Sequence, residues 1–374
     1  MRHKRLGILA GLAAASLVLA ACGGEDSNET AGGGSTTGGS DSGGGGKVGV
    51  ILPDSASSAR WETADRQFLQ EAFDAAGVEA DIQNAEGDTA KFQTIADGMI
   101  ASGVNVLLIV NLDSETGSAV ISKAADAGIP TIDYDRLTLG GGASYYVSFD
   151  NVAVGTAIGE GLVTCLQDAG TTTGSVVLLN GSPTDNNATL FKEGYETAIT
   201  AAGYTIADDQ SVPEWDNTTA GTIFEQIFTS TGGSFVGVAA ANDGLGGAVI
   251  SVLDRNGLAG TIPVTGQDAT DEGLQRVLLG TQCMTVYKAI KKEADAAAEL
   301  AIALAGGDTE AADALATDTT EDSESGEQVP SVLLEPQAIF KANVKDVVAD
   351  GFTTADKICT TPELQTACTE NGVQ

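Results

Sequence analysis

The chain has 374 residues, with 52 Asp and Glu against 18 Lys and Arg, for a formal net charge of -34. Such a balance repels nucleic-acid phosphates and supplies no basic patch for anionic lipid, so both are excluded as partners of the folded body, and the charge reads as solubility in an exposed or saline setting. The only histidine is His3, which leaves the body without a Ser-His-Asp or Cys-His nucleophile, a His-bearing zinc site or an imidazole proton shuttle.

The first segment carries a basic head (Arg2, His3, Lys4, Arg5) and an apolar run from Leu6 to Ala21. That run is too short and too poor in large side chains for a membrane span, and the small residues Ala20 and Ala21 set a cleavage point before Cys22. The Leu-Ala-Ala-Cys box resembles a bacterial lipoprotein signal. It implies that residues 1–21 are removed, that Cys22 becomes the acylated first residue, and that the rest is extracytoplasmic and lipid-anchored to the cell membrane. An ordinary secretory signal is the alternative. Residues 22–46 are nearly all Gly, Ser, Thr and acids, a flexible tether with nothing to nucleate a core.

From Lys47 the chain alternates buried-type strands with helical patterns. The spacing predicts strands at 47–52, 78–83, 104–110 and 129–133, separated by helices over 61–76, 90–102 and 116–127. After Phe149-Asp150-Asn151 the scheme repeats, with helices over 152–167, 188–202, 221–228 and 246–256 and strands at 175–180, near Tyr204, and at 235–240, 262–266 and 283–287. Continuous apolar strands alternating with helices predict α/β architecture: two doubly wound parallel-sheet lobes with right-handed crossovers. A helix over 288–305 and a strand over 329–336 are left over after the second lobe, as expected of a chain that crosses back between lobes. Residues 306–328 read as an acidic, low-complexity loop; the spacing of an EF-hand is absent, and no metal site is expected.

Four further cysteines, Cys165, Cys283, Cys359 and Cys368, form no C-x-x-C pair. In an oxidising compartment they suggest two disulfides, with three connectivities open. The expected pairing is Cys359 with Cys368 on the tail and Cys165 with Cys283 across the second lobe, with buried free thiols as the alternative.

Open α/β sheets bind ligands beyond the carboxyl ends of their strands. Those ends carry Arg60 and Trp61, Asp135 and Arg136, Asn187, Trp215, Asn242, Asp268 and Lys288. Asp, Asn and Arg can each engage two neighbouring hydroxyls, and an indole face covers the C–H side of a sugar ring. A phosphate site would want Gly-rich turns at strand–helix junctions, and no G-x-G-x-x-G or G-x-x-x-x-G-K stands there. Each residue also has a plainer reading: Arg136 as a partner of Asp135 or Glu62, Asn187 and Asn242 as helix caps, Trp61 as a core anchor, Lys288 as one cation of a helix face.

The segments RWETADRQF, IDYDRL, YVSFDNVAVG, GSPTDNNATLFKEGY, AANDGLGGAVI, TGQDATDEGLQRVLLGTQCMTVYK and DGF, spread over residues 47–352, resemble the periplasmic sugar-binding proteins of ABC importers, of the type I fold, and most of all the D-xylose-binding members. The resemblance implies that Arg60, Asp135, Arg136, Asn187, Asn242, Asp268 and Lys288 hydrogen-bond a monosaccharide, D-xylose or a pyranose such as D-glucose, with Trp61 and Trp215 sandwiching its ring. It implies an N-terminal lobe of 47–149 plus 288–328 and a C-terminal lobe of 150–287 plus 329–374. It further implies an ABC permease and its cytoplasmic ATPase as partners, a monomer, no cofactor and no catalysis. The other readings are a module presenting bound sugar to a membrane receptor, and a sugar enzyme working with carboxylates alone.

Overall fold

The fold was analysed in a computed structural model that describes residues 46–374. The expected export signal, Cys22 and nearly all of the tether lie outside the described residues.

The first half builds β1 (Lys47–Leu52), α1 (Arg66–Ala76), β2 (Glu79–Asn84), α2 (Thr89–Ala101), β3 (Val106–Ile109), α3 (Ser114–Asp126), β4 (Thr131–Tyr134) and β5 (Tyr145–Phe149). Strands β3, β4 and β5 are buried along their whole length and β1 in all but its first residue, because helices cover both faces of a parallel sheet. Phe73 and Leu69 of α1 pack on one face, and Phe92, Met99 and Val120 of α2 and α3 on the other. The helices start where short polar side chains accept from the first free amides: Asp88 for α2 and Asp113 for α3.

The chain then crosses into α4 (Asn151–Asp168), β6 (Ser175–Asn180), α5 (Asn186–Ala201), β7 (Thr205–Ser211), α6 (Asn217–Thr231), β8 (Gly237–Ala240), α7 (Asp243–Arg255), α8 (Asp271–Leu279) and β9 (Met284–Tyr287). A second parallel sheet runs β7-β6-β8. Helices α4 and α5 lie unusually close: a Cβ on Gly155 would stand 2.1 Å from the Phe191 carbonyl oxygen, and one on Gly194 2.4 Å from that of Val152. The sequence predicts a strand at 262–266, which the structure reduces to one bridge between Val238 and Val264. Pro263 has no amide to give a ladder, although Cys283 and Val286 still donate to the carbonyls of Val264 and Gly266. Helix α8 had no counterpart among the predicted elements.

After β9 the chain returns through Lys288 to α9 (Ile290–Ala305), α10 (Thr309–Leu315), β10 (Asp318–Glu321) and β11 (Gln328–Leu334), then crosses again to β12 (Gln337–Phe340), α11 (Val344–Ala349), α12 (Ala355–Ile358) and α13 (Pro362–Glu370). The first sheet is thereby completed to the order β10-β11-β5-β4-β3-β1-β2, and β12 pairs antiparallel with β9. Two expectations are corrected here. The strand at 329–334 belongs to the first lobe, not the second, because β11 pairs in parallel with β5, Ser331 to Leu334 against Tyr146 to Phe149; the return crossing falls at Glu335 and Pro336. Residues 306–328 are also not one solvated loop. They hold a helix and an edge strand, and Asp322, only 2% exposed, ties their turn to Gly140 by accepting its amide at 2.8 Å.

Cys165 of α4 is joined to Cys283 before β9, and Cys359 to Cys368 in the tail. The tail packs on α8 and β9 around Leu274, Ile339, Val347 and Leu364, and Tyr287 donates to Asp350 at 2.7 Å.

Candidate ligand-binding site

The carboxyl ends of both sheets face one small space between the lobes. All nine residues singled out from the sequence line it. Arg60, Trp61, Asp135 and Arg136 come from the first lobe, Asn187, Trp215, Asn242 and Asp268 from the second, and Lys288 from the crossing. Ser57, Ser58, Asp185, Phe191 and Gln267 complete the lining.

The first-lobe face is a net of charges. Asp135 follows β4 with φ of 64°, a conformation uncommon for a residue other than Gly. It is fastened by its amide to the Val147 carbonyl (2.8 Å), while its own carbonyl accepts from Ser148 Oγ (2.8 Å) and Asn187 Nδ2 (2.9 Å). Its carboxylate receives Arg60 Nη1 at 2.9 Å and has Lys288 Nζ at 3.5 Å. Burial opposes the charge of Asp135, but Lys288, Arg60 and Arg136 together outweigh it and hold the carboxyl well below its ordinary range.

Arg60 is in turn held from behind. Its Nε and Nη2 donate to Asp65 at 2.9 and 2.7 Å, and Nη2 also to Glu293 at 2.7 Å. Four donations, counting the one to Asp135, leave one of its five N–H groups for the cavity. Tyr134 donates to Asp65 at 2.7 Å. Burial pushes the Glu293 carboxyl well above its ordinary value against the pull of Arg60, while Arg60, despite its own burial, is held charged by Asp65, Asp135 and Glu293. The guanidinium carbon of Arg60 lies 4.3 Å from the Trp61 ring centroid, and Trp61 Nε1 donates to Ser57 Oγ at 3.1 Å.

The second-lobe face is mostly amide and aromatic. Asn187 sits in the first turn of α5, whose cap is Asp185, not Asn187. Asn242 serves twice: Oδ1 caps α7 by accepting from Leu245 N at 2.8 Å, and Nδ2 donates to the Ser57 carbonyl at 3.4 Å beside the cavity. Trp215 has φ of 56°, is edge-on to Phe191, and donates Nε1 to Asp185 Oδ2 at 3.1 Å. Its ring lies against Gly181, where a Cβ would come within 2.1 Å of it. The loop of Gln267 and Asp268, with φ of 91° at Asp268 and 48° at Ala269, is clamped by Asp243, whose amide donates to Gln267 O at 2.9 Å and whose Oδ2 accepts from Thr270 N at 2.8 Å. Positive φ at non-Gly residues thus gathers at the cavity, where rigid surroundings sustain it.

The two faces also touch. Asn187 Nδ2 reaches Asp135 Oδ1 at 3.2 Å, Ser58 Oγ donates to Asp268 Oδ2 at 3.0 Å, Arg136 Nε stands 3.1 Å from Asp185 Oδ2, and Lys288 Nζ lies 3.4 Å from Asp268 Oδ1. The suggested pairing of Arg136 with Glu62 does not form: Glu62 is bound to Arg66 and Asn84. Gln267 Oε1 is buried without a hydrogen bond, and Arg136 Nε and Asp268 Oδ1, though each beside an opposite charge, make none either, so each has hydrogen-bonding capacity for a polar guest.

Residues 48–309 match the family described as periplasmic binding protein domain. The D-xylose-binding periplasmic protein of Haemophilus influenzae is 34% identical over 317 residues, covering 83% of this chain and 92% of the relative. That of Escherichia coli is 33% identical over 311 residues, covering 82% and 90%. Among solved structures, a carbohydrate transporter solute-binding protein from Chloroflexus aurantiacus in complex with D-glucose superposes with a TM-score of 0.73 at 27% identity, covering 83% of this chain and 97% of that one. An ABC transporter solute-binding protein from Clostridium phytofermentans with bound β-D-glucose gives 0.74 at 25% identity, covering 83% and 99%. With its two α/β lobes and the ligand-facing strand ends between them, the chain belongs to the periplasmic binding protein family, in the type I fold.

Proposed function

We propose that this protein captures a monosaccharide, D-xylose or a related pyranose such as D-glucose, between its lobes and delivers it to the permease of an ATP-driven importer, held at the membrane by lipid on Cys22. One observation carries the reading. Planar hydrogen-bonding groups from both lobes, with Trp61 and Trp215, converge on one space between the lobes, and such a lining satisfies adjacent hydroxyls and the apolar face of one ring. Roughly micromolar affinity requires only about -8 kcal/mol, within reach of a few charge-assisted bonds and ring contacts after ordering costs.

Asp135, held well below its ordinary range by Lys288, Arg60 and Arg136 against its burial, is a charged acceptor for sugar hydroxyls. Closure of two lobes about their crossings is the usual means by which such a cleft commits a ligand.

Uptake of radiolabelled D-xylose and D-glucose by cells lacking this protein tests the transport reading. Loss of uptake of either sugar, restored by the wild type but not by Asn242→Ala, is expected, and Cys22→Ser should release the protein from the membrane fraction. Undiminished uptake of both sugars would contradict the transport reading, and a Cys22→Ser protein that stays in the membrane fraction would contradict the anchor.

A further inference from the structure

A second space adjoins the sugar cavity. It shares Ser57, Ser58, Asn242 and Asp268 with the cavity. The partition between the two is thin. Across it run only two side-chain bonds, Ser58 Oγ to Asp268 Oδ2 at 3.0 Å and Asn242 Nδ2 to the Ser57 carbonyl at 3.4 Å, the second at the limit of a hydrogen bond. Ser55 is exposed and Ser58 half-buried, while Ser57, Asn242 and Asp268 are buried.

The first-lobe wall of this vestibule is the segment Pro53–Ala59, PDSASSA. It carries no long side chain to fill the space. Its one charge, Asp54, is folded back on the amides of Ala56 and Ser57 at 2.7 and 2.5 Å. The opposite wall carries Asn217 at the start of α6, Gly244 in the first turn of α7, Thr270 before α8, and the acids Asp243, Asp268 and Glu272 with Arg276 as its cation. Gly244 allows Asn217 to lie close, since a Cβ at that position would come within 2.5 Å of Asn217 Oδ1. Such a surface offers hydrogen bonds of both kinds, with acceptors in excess. It suits a polyol and gives an anion or an apolar group no advantage.

We propose that the vestibule is a second subsite, and that the protein accepts sugars carrying an O-linked substituent, such as glycosides or a disaccharide. One ring sits in the cavity and the substituent leaves between Ser58 and Asn242 into the vestibule. The inference rests on the sugar-binding reading of the cavity. On it, a ring hydroxyl facing Asn242 and Asp268 lies against the partition, and an oxygen substituted there replaces the Ser58–Asp268 bond with its own contacts instead of meeting packed core. A cavity sealed by a thick wall would reject the same ligand.

Calorimetric titration with D-xylose, D-glucose, the two methyl D-xylopyranosides, xylobiose and cellobiose tests this. The disaccharides offer rings substituted at the anomeric carbon and at O4. At least one substituted ligand should bind within about 10-fold of its parent monosaccharide. Asn217→Trp, which fills the vestibule without touching the cavity, should weaken that ligand by about 10-fold or more while leaving the monosaccharide within about 2-fold, and this retained binding also shows that the variant is folded. Binding of xylose or glucose with every substituted ligand more than about 10-fold weaker would overturn the subsite and leave the monosaccharide reading intact. So would substituted ligands that bind but are indifferent to Asn217→Trp. Binding by none of the six would overturn both.

Discussion

The two faces of the cleft are built on opposite principles. The first-lobe face is charged and braced from behind, Arg60 being fixed by Asp65 and Glu293 before it reaches Asp135. The second-lobe face is mainly neutral, with Asn187, Trp215, Asn242 and Gln267 set on helix starts and tight turns. A buried ion network costs desolvation and returns it only while every partner is present. The first face is thus a fixed anchor whose failure is a failure of folding. Caps and turns, by contrast, place side chains with little at stake in the core, so the second face can be altered for recognition alone.

The sharpest way to break the contrast is Arg60→Ala. It leaves Asp65, Asp135 and Glu293 buried without their common cation, and a loss of about 3–5 kcal/mol in unfolding free energy is expected by denaturant titration. A loss below about 1 kcal/mol would mean that the first face is no anchor. On the second face, Gly181→Ala should displace the Trp215 ring, whose atoms lie 2.1 Å from the added Cβ. The expected result is about a 10-fold loss of sugar affinity, with the thermal midpoint moved by only a few degrees. A large fall in the midpoint would place Trp215 among the structural residues.

The smallest effect is in pH. Burial pushes the Asp133 carboxyl up to about 7 and that of Asp243 up to about 6, against the hydrogen bonds from Thr138 in the first case and the charge of Arg276 in the second. Unfolded, both release their protons near pH 4. Between those values the folded protein holds protons that the unfolded chain has lost, so these two groups make unfolding free energy fall as pH rises from about 4 to about 7. Unfolding curves at intervals across that range should show the decline, reduced in Asp243→Asn. A rise with pH would contradict the assignment.

Much of this was legible before any coordinates. Strands buried on both faces announce themselves as continuous apolar runs, and the strand-end rule led to nine residues that line one cavity. Other features were not legible, for physical reasons. Asp65 and Glu293 lie within helices among other polar residues and read as solvated faces; only the docking of α9 against α1 makes them the support of Arg60. Gln267 and Asp185 stand in strand-end loops that the sequence singles out, yet nothing local separates a residue aimed at the cavity from one that caps a helix. The strand at 329–334 gives no sign of which sheet it joins, because pairing with β5 is a long-range contact. The acidic composition of 306–328 concealed one buried carboxylate, that of Asp322, among many solvated ones.

The central claim is that both faces grip one sugar, and calorimetric titration of the sugar-stripped protein with D-xylose and D-glucose tests it most directly, run beside Arg136→Ala for the first face and Trp215→Ala for the second. The account predicts one-to-one binding of at least one of these sugars, weakened by about 30-fold or more in each variant. Silence toward both sugars, or binding that either variant leaves unchanged, would contradict it.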